Sequence, residues 1–440
     1  MEQLALFGGP RAVTVDYNQY GKVPIVPETA YPRVEAILRS GDLSFHPLVS
    51  EFEKTFAKYV GAQYSMCEVN CTTCIQAALF AVGVGSGDEV LVPSFTFWAT
   101  AGPIYANHAI PVFCDVNKDT HCIDPDDIEH RITPRTKAII VVHVWGVPAD
   151  MDRINAIAQK HGIKVVEDCA HAHGTRYHGK SVGILGDVGC FSLQNSKVLP
   201  GGEGGIVVTN NREYMERMKA LGQYDKLIDL PEDSPYRQYY MTGFGFKHRM
   251  HPVAAAVALS NLEKLDATNA IRTKFGVQIE KELSDIRGFI FQKVPENATR
   301  IFAYHYIYFD ESVWGISLPT LLEALNAEGL SVGTCGYGFL HQAPAFRKRD
   351  IFGANDVMNQ YPAKEIETLP VTEDLSKHTF MLPRFEQDTP ECAALVQEYL
   401  HAFHKAAEQV ESLRAYEAEN GVLNIARGDG RSISLFKSKR

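Results

Sequence analysis

No run of apolar residues approaches the roughly 20 needed to cross a bilayer as a helix. The opening residues 1–9, with Glu2 and a very short apolar stretch, lack the basic and hydrophobic regions of an export signal. Positive charge is in deficit: 43 Lys and Arg against 53 Asp and Glu leave a formal charge of −10. Long-range repulsion therefore argues against wholesale binding of nucleic acid or of an anionic membrane, while a local cationic pocket for a phosphate stays open. Cysteine is too sparse and irregular for a disulfide framework, since the nine residues are odd in number and unevenly spaced. Reduced thiols and a cytoplasmic location are the expectation. Cys67, Cys71 and Cys74 do form C-x3-C-x2-C, a spacing also found around iron–sulfur clusters. Cys67 falls in an apparent strand and Cys74 in an apparent helix, so structural cysteine is the better reading. Internal repeats and low-complexity blocks are missing as well.

What is present describes an ordinary globular chain. Its 440 residues are 45% apolar and 22% charged, and the length suggests two or three units. Val49, Phe52, Phe56, Tyr59 and Val60 recur at helical spacing ahead of Gly61, which predicts an amphipathic helix over 47–60. Short β-rich runs follow at 64–69, 90–92, 112–114, 138–144, 163–167, 190–192 and 206–209, alternating with helical segments. That alternation predicts an α/β fold, a mainly parallel central sheet covered by helices on both faces. A long helix starts near Ala254, and beyond about residue 270 the alternation loosens. The expected organisation is a large α/β domain over 1–270 that includes the N-terminal segment, a smaller C-terminal α/β domain over 271–420, and a tail over 421–440.

Ligands of open α/β sheets sit beyond the carboxyl ends of the strands, so polar residues there are the first candidates. Four strand ends qualify. Asn70-Cys71-Thr72-Thr73 runs from a strand into a helix, whose N–H groups and two hydroxyls suit a phosphate dianion; a plain helix cap is the simpler reading. Ser94-Phe95-Thr96-Phe97-Trp98 offers aromatic faces for a flat ring, although core packing explains them equally well. Glu167-Asp168 ends an apolar strand, where a carboxylate requires a cation; His171 and His173 follow, which leaves a metal as a rival. Ser192-Leu193-Gln194-Asn195-Ser196-Lys197 puts a lysine just past another strand, ahead of Gly201-Gly202-Glu203-Gly204-Gly205. Such a lysine can form a Schiff base with an aldehyde, though most lysines are simply solvated. These glycines match neither a dinucleotide fingerprint nor a P-loop.

Together and in this order, the four segments resemble the DegT-type sugar aminotransferase family, fold-type I enzymes that use pyridoxal 5′-phosphate (PLP). Leu4–Pro10, Gly85-Ser86-Gly87-Asp88-Glu89-Val90, Pro134-Arg135-Thr136-Lys137 and the 143–150 stretch extend the likeness over nearly the whole chain. The resemblance implies that Lys197 is the Schiff-base lysine and Asp168 the partner of the pyridine nitrogen. Phe97 would stack on one ring face, with His171 by the other. Thr72, Thr73 and Ser192 match phosphate-binding positions, with Gln194 close by. Two positions depart from the family pattern: Cys71 replaces the glycine of an Asn-Gly-Thr turn, and Lys247 stands where many relatives carry an asparagine that reaches the neighbouring subunit's phosphate site. The wording around Gln194–Lys197 and His171-Ala172-His173 is similar to the cyclitol and aminohydroxybenzoate branch. The implied activity is amino transfer from glutamine or glutamate to a cyclic ketone (a keto sugar, a nucleotide-linked keto sugar or an inosose) by a homodimer with shared active sites. A PLP-binding regulatory protein, or a PLP-dependent sugar dehydratase, is the alternative; the latter is disfavoured by Lys197, since dehydratases of this family carry histidine there.

Overall fold

Seven short strands form the larger sheet of the computed structural model, which describes residues 2–23, 25–348 and 368–422. Their spatial order is Tyr64–Glu68, Gly205–Thr209, Val188–Ser192, Lys164–Asp168, Thr136–Val142, Glu89–Pro93 and Ile110–Cys114. Gly205–Thr209 alone runs against its two neighbours, and every other pairing is parallel. The expected mainly parallel, helix-covered sheet is what the chain forms. Alternation along the strands explains why both faces are covered: Val90 and Val92, Ile140 and Val207 join one core. Their neighbours Leu91, Ile139 and Val141 join a second core, and Ile206 and Val208 a third. The predicted helix over 47–60 is Leu48–Val60, stopped by Gly61 at φ 81°.

Strand register brings three polar segments to one place. Glu68 pairs with Gly205, and Ser192 pairs with Gly205 from the other side. The carboxyl ends of two strands and the start of the reversed one thus meet at a single edge. Gly205 has no room for a side chain there, since a Cβ would lie 2.6 Å from the Asn70 carbonyl oxygen.

A second, four-stranded antiparallel sheet orders Phe289–Phe291, His305–Phe309, Thr379–Leu382 and Gly333–Thr334. The helix Leu265–Leu283 leads the chain from the larger sheet to this one. Its core holds Phe289, Ile307, Phe309, Phe380 and Leu382 together with Leu4 and Val13. The N-terminal segment, grouped by sequence with the larger unit, therefore packs on the smaller sheet. Buried Glu328 fixes it there by accepting the N–H of Ala5 at 2.7 Å and of Ala12 at 2.9 Å. No described helix is long and apolar enough to cross a membrane. All nine cysteines are buried and free. The tail expected over 421–440 lies outside the described residues from 423 onward.

Candidate active site

A cavity of about 560 Å³ opens at the shared strand edge, with walls from both sheets. Thr72, Phe97, Asp168, His171, Ser192, Gln194 and Lys197 line it, joined by Tyr304, Tyr306 and Tyr337 from the smaller-sheet side. Seven of the nine residues singled out from sequence are thereby brought together. Thr73 and Lys247 are not. Thr73 donates its N–H to Asn70 Oδ1 at 2.9 Å and its hydroxyl to the Asn70 carbonyl at 2.8 Å, closing the cap of the helix Cys71–Ala81. The capping interpretation holds for this residue, with Asn70 as the cap. Lys247 is exposed, away from its own chain's cavity.

The two acids that end Lys164–Asp168 point to opposite sides of the sheet, as strand geometry requires. Glu167 is used up internally: His143 Nε2 lies 3.0 Å away, and the N–H groups of Gly183, Leu185 and Gly186 donate at 2.7, 2.8 and 2.6 Å. Since His143 Nδ1 accepts from the Ala149 N–H at 3.2 Å, Nε2 carries the proton that Glu167 receives. Asp168 faces the cavity. It accepts from the Thr100 hydroxyl at 2.8 Å and the Ala170 N–H at 3.0 Å, one donor per oxygen. Burial pushes its carboxyl above the ordinary value against those hydrogen bonds, so the site lacks a full counter-charge for the anion.

Lys197 sits in a turn pinned at both ends. Its N–H bonds to the Gln194 carbonyl at 2.9 Å, and Gln194 Oε1 accepts from the N–H and the hydroxyl of Ser196, each at 2.7 Å. The Lys197 amine lies 2.9 Å from His171 Nε2. Burial, then the nearby Lys197, hold His171 well below the usual imidazole range, so the ring is neutral. If the amine donates to Nε2, the ring proton sits on Nδ1, 3.5 Å from the Tyr337 hydroxyl. Asp168, His171 and His173 do not gather as metal ligands. Among the described residues the group that does is His143, Glu167 and Cys169, and two of these already satisfy each other.

At the mouth, Phe97 and Trp98 are 47% and 53% exposed, with ring centroids 5.3 Å apart. At the far end, the N–H groups of Cys71 and Thr72 open the helix with no partner among the described residues. Cys71 is therefore compatible with an anion-binding turn, which uses main-chain donors. Thr100 and the three tyrosines escaped the sequence reading. A signal for Tyr304 and Tyr306 exists in the aromatic alternation Tyr304-His305-Tyr306-Ile307-Tyr308.

A model of the DegT/DnrJ/EryC1/StrS aminotransferase family matches residues 25–400. The chain belongs to that family. Among DegT/DnrJ/EryC1/StrS relatives, an L-glutamine:2-deoxy-scyllo-inosose aminotransferase of Streptoalloteichus tenebrarius is 34% identical over 86% of this chain and 94% of its own. A putative L-glutamine:3-amino-2,3-dideoxy-scyllo-inosose aminotransferase of Micromonospora echinospora is 33% identical over 78% of this chain and 82% of its own. The crystal structure of DesI with its TDP-sugar product superposes at a TM-score of 0.77, with 28% identity over 94% of this chain and 99% of that one. The fold and the aminotransferase class expected from sequence both stand.

Proposed function

We propose that this aminotransferase moves the amino group of L-glutamine, or of L-glutamate, to the carbonyl carbon of an inosose or related cyclic keto sugar, with PLP held covalently by Lys197. The observation that carries the reading is one cavity holding the Lys197 amine against a neutral His171 and, on the same side, a buried Asp168 carboxylate short of counter-charge. The names of the two inosose aminotransferase relatives support glutamine as donor and a cyclitol ketone as acceptor.

The donor set fits the cofactor part by part. Free N–H groups at Cys71 and Thr72, with the hydroxyls of Thr72 and Ser192, would hold a phosphate. Asp168 would face the ring nitrogen, and Phe97 and His171 would flank the ring. Bound there, PLP supplies an electron sink for a carbanion at the donor's α carbon. Asp168 would keep the ring nitrogen protonated, which makes such a sink effective. Lys197, with its amine free, would take the α proton and later return one, acting as general acid–base. His171 accepts a hydrogen bond from the lysine and keeps its amine aimed into the cavity. The aromatic wall of Tyr304, Tyr306 and Tyr337 limits water. Lys247, exposed on its own chain, is available to serve a partner's phosphate site in a homodimer.

The test is a pair of half-reactions with PLP-loaded protein. L-glutamine or L-glutamate should yield its keto acid stoichiometrically, and added 2-deoxy-scyllo-inosose should then gain an amino group by mass spectrometry. Failure of both donors to yield a keto acid refutes the reading.

A further inference from the structure

Lys197 is gripped by its own main chain from behind. The Ser196 carbonyl accepts from Arg384 Nη1 at 2.9 Å and from the Tyr304 hydroxyl at 2.9 Å. The Val198 carbonyl accepts from Arg272 Nη1 at 3.2 Å. The two arginines are joined through one acid: Glu386 Oε1 lies 2.6 Å from Arg272 Nη2 and 3.1 Å from Arg384 Nε. Arg272 and Glu386 are 3% and 5% exposed, and Arg384 is 15% exposed. Burying three ionised groups is costly unless each is paired and hydrogen-bonded. Here every one is, and the pairing leaves donors aimed at the two peptide carbonyls that bracket the lysine.

The bracket is built from distant parts of the chain. Arg272 lies on the helix Leu265–Leu283, whereas Arg384 and Glu386 follow the strand Thr379–Leu382 of the smaller sheet. Glu386 also accepts the Val23 N–H at 3.3 Å, and its own N–H bonds to the Gly21 carbonyl at 2.8 Å. Arg384 further donates to the Ala303 carbonyl at 3.3 Å and stacks 5.0 Å from the centre of the Tyr304 ring, which lines the cavity. The lysine turn belongs to the larger sheet, yet its orientation is fixed by the smaller one.

We infer that Arg384 and Arg272, coupled through Glu386, are positioning residues that hold the Ser196 and Val198 carbonyls, one residue before and one after Lys197, and so aim its amine into the cavity. This rests on the proposed role of Lys197 as the cofactor-binding amine. A turn held at one carbonyl only would let the side chain swing, and small displacements of a reacting group are expensive in rate.

The experiment takes the full chain freed of cofactor, adds PLP, and follows visible absorbance as the covalent link forms. Borohydride reduction and peptide mapping of the wild type locate the modified lysine. A site other than Lys197 defeats the functional reading itself, independently of the bracket. With Lys197 confirmed, Arg384→Met should capture PLP about tenfold more slowly or worse, shift the pH midpoint of the bound absorbance, and speed hydrogen exchange at residues 195–199. Arg384→Lys should recover part of the rate. Tyr304→Phe, which deletes one oxygen and leaves the ion cluster whole, should slow capture by about threefold. Wild-type capture rate and midpoint in folded Arg384→Met overturn the inference. If circular dichroism shows Arg384→Met unfolded, wild-type values in Tyr304→Phe overturn it instead.

Discussion

Replacing Asp168 by asparagine separates the charge of this side chain from its shape. The Thr100 hydroxyl that donates to Oδ2 at 2.8 Å can rotate and accept from an amide, and the Ala170 N–H at 3.0 Å still finds an oxygen. The fold should therefore survive. The stability sign follows from the raised carboxyl: its folded value lies above the ordinary 3.8, so the cofactor-free wild type is penalised as pH rises above 3.8, and fully once pH passes the folded value. Cofactor-free Asp168→Asn should accordingly melt at or above the wild-type temperature at pH 8. Activity should move the other way, because an amide could not hold the ring-nitrogen proton in the role proposed for Asp168. Loss of one preorganised charge costs about 3 kcal/mol in barrier, or about a hundredfold in kcat. Steady-state rates at saturating donor and acceptor measure the second effect, and melting without cofactor measures the first. An unchanged kcat in folded Asp168→Asn would refute the assignment.

Lys197→Ala should stay folded but form no borohydride-reducible link to PLP and lose steady-state transamination; sustained turnover would remove the lysine from its role. Glu68 is fully buried with His248 Nδ1 at 3.1 Å but outside hydrogen-bonding geometry, and burial pushes its carboxyl from 4.5 to about 7. Because the folded value is raised, Glu68 weakens the fold progressively between pH 4.5 and 7. Glu68→Gln should gain on the wild type over that window by about 3 kcal/mol, and a pH-independent difference in denaturant midpoints would contradict it. If Lys247 serves its partner's phosphate site, mixing inactive Lys197→Ala subunits with inactive Lys247→Glu subunits should restore activity in up to half the sites of each hybrid. Verified hybrids that stay inactive would place Lys247 elsewhere.

What the sequence disclosed was whatever a strand end announces locally. Lys197, Asp168 and Ser192 each follow a buried apolar run, and the end of a parallel strand leaves few places for the next polar side chain to go. Thr72 and Thr73 show the limit of that logic. They are adjacent and chemically identical, yet one lines the cavity and the other is consumed by the helix cap, a difference set by helical phase. The expense of a buried acid does not by itself separate Glu167 from Asp168, which the family resemblance singles out, because it does not say which oxygen has spare partners. Only the loop carrying Gly183, Leu185 and Gly186 settles that Glu167 is satisfied structurally.

The residues that stayed hidden are those whose partners lie far along the chain. Thr100 is 68 positions from Asp168, and Arg384 is 188 from Ser196. Trp145 makes the same point against local propensity. It is fully buried with φ at 54°, a conformation unfavourable for a bulky residue. Local sterics lose because Trp145 lies flat on Tyr306, ring centroids 3.4 Å apart at 10°, and stacks on Tyr337 at 5.5 Å. The following Gly146 permits this turn, since a Cβ there would meet the Ile301 carbonyl oxygen at 2.0 Å. A strained turn on the larger sheet thus sets Tyr306 and Tyr337, two of the three tyrosines on the smaller-sheet side of the cavity. Like the arginine bracket around Lys197, it joins the two sheets at the point where the chemistry is proposed to occur.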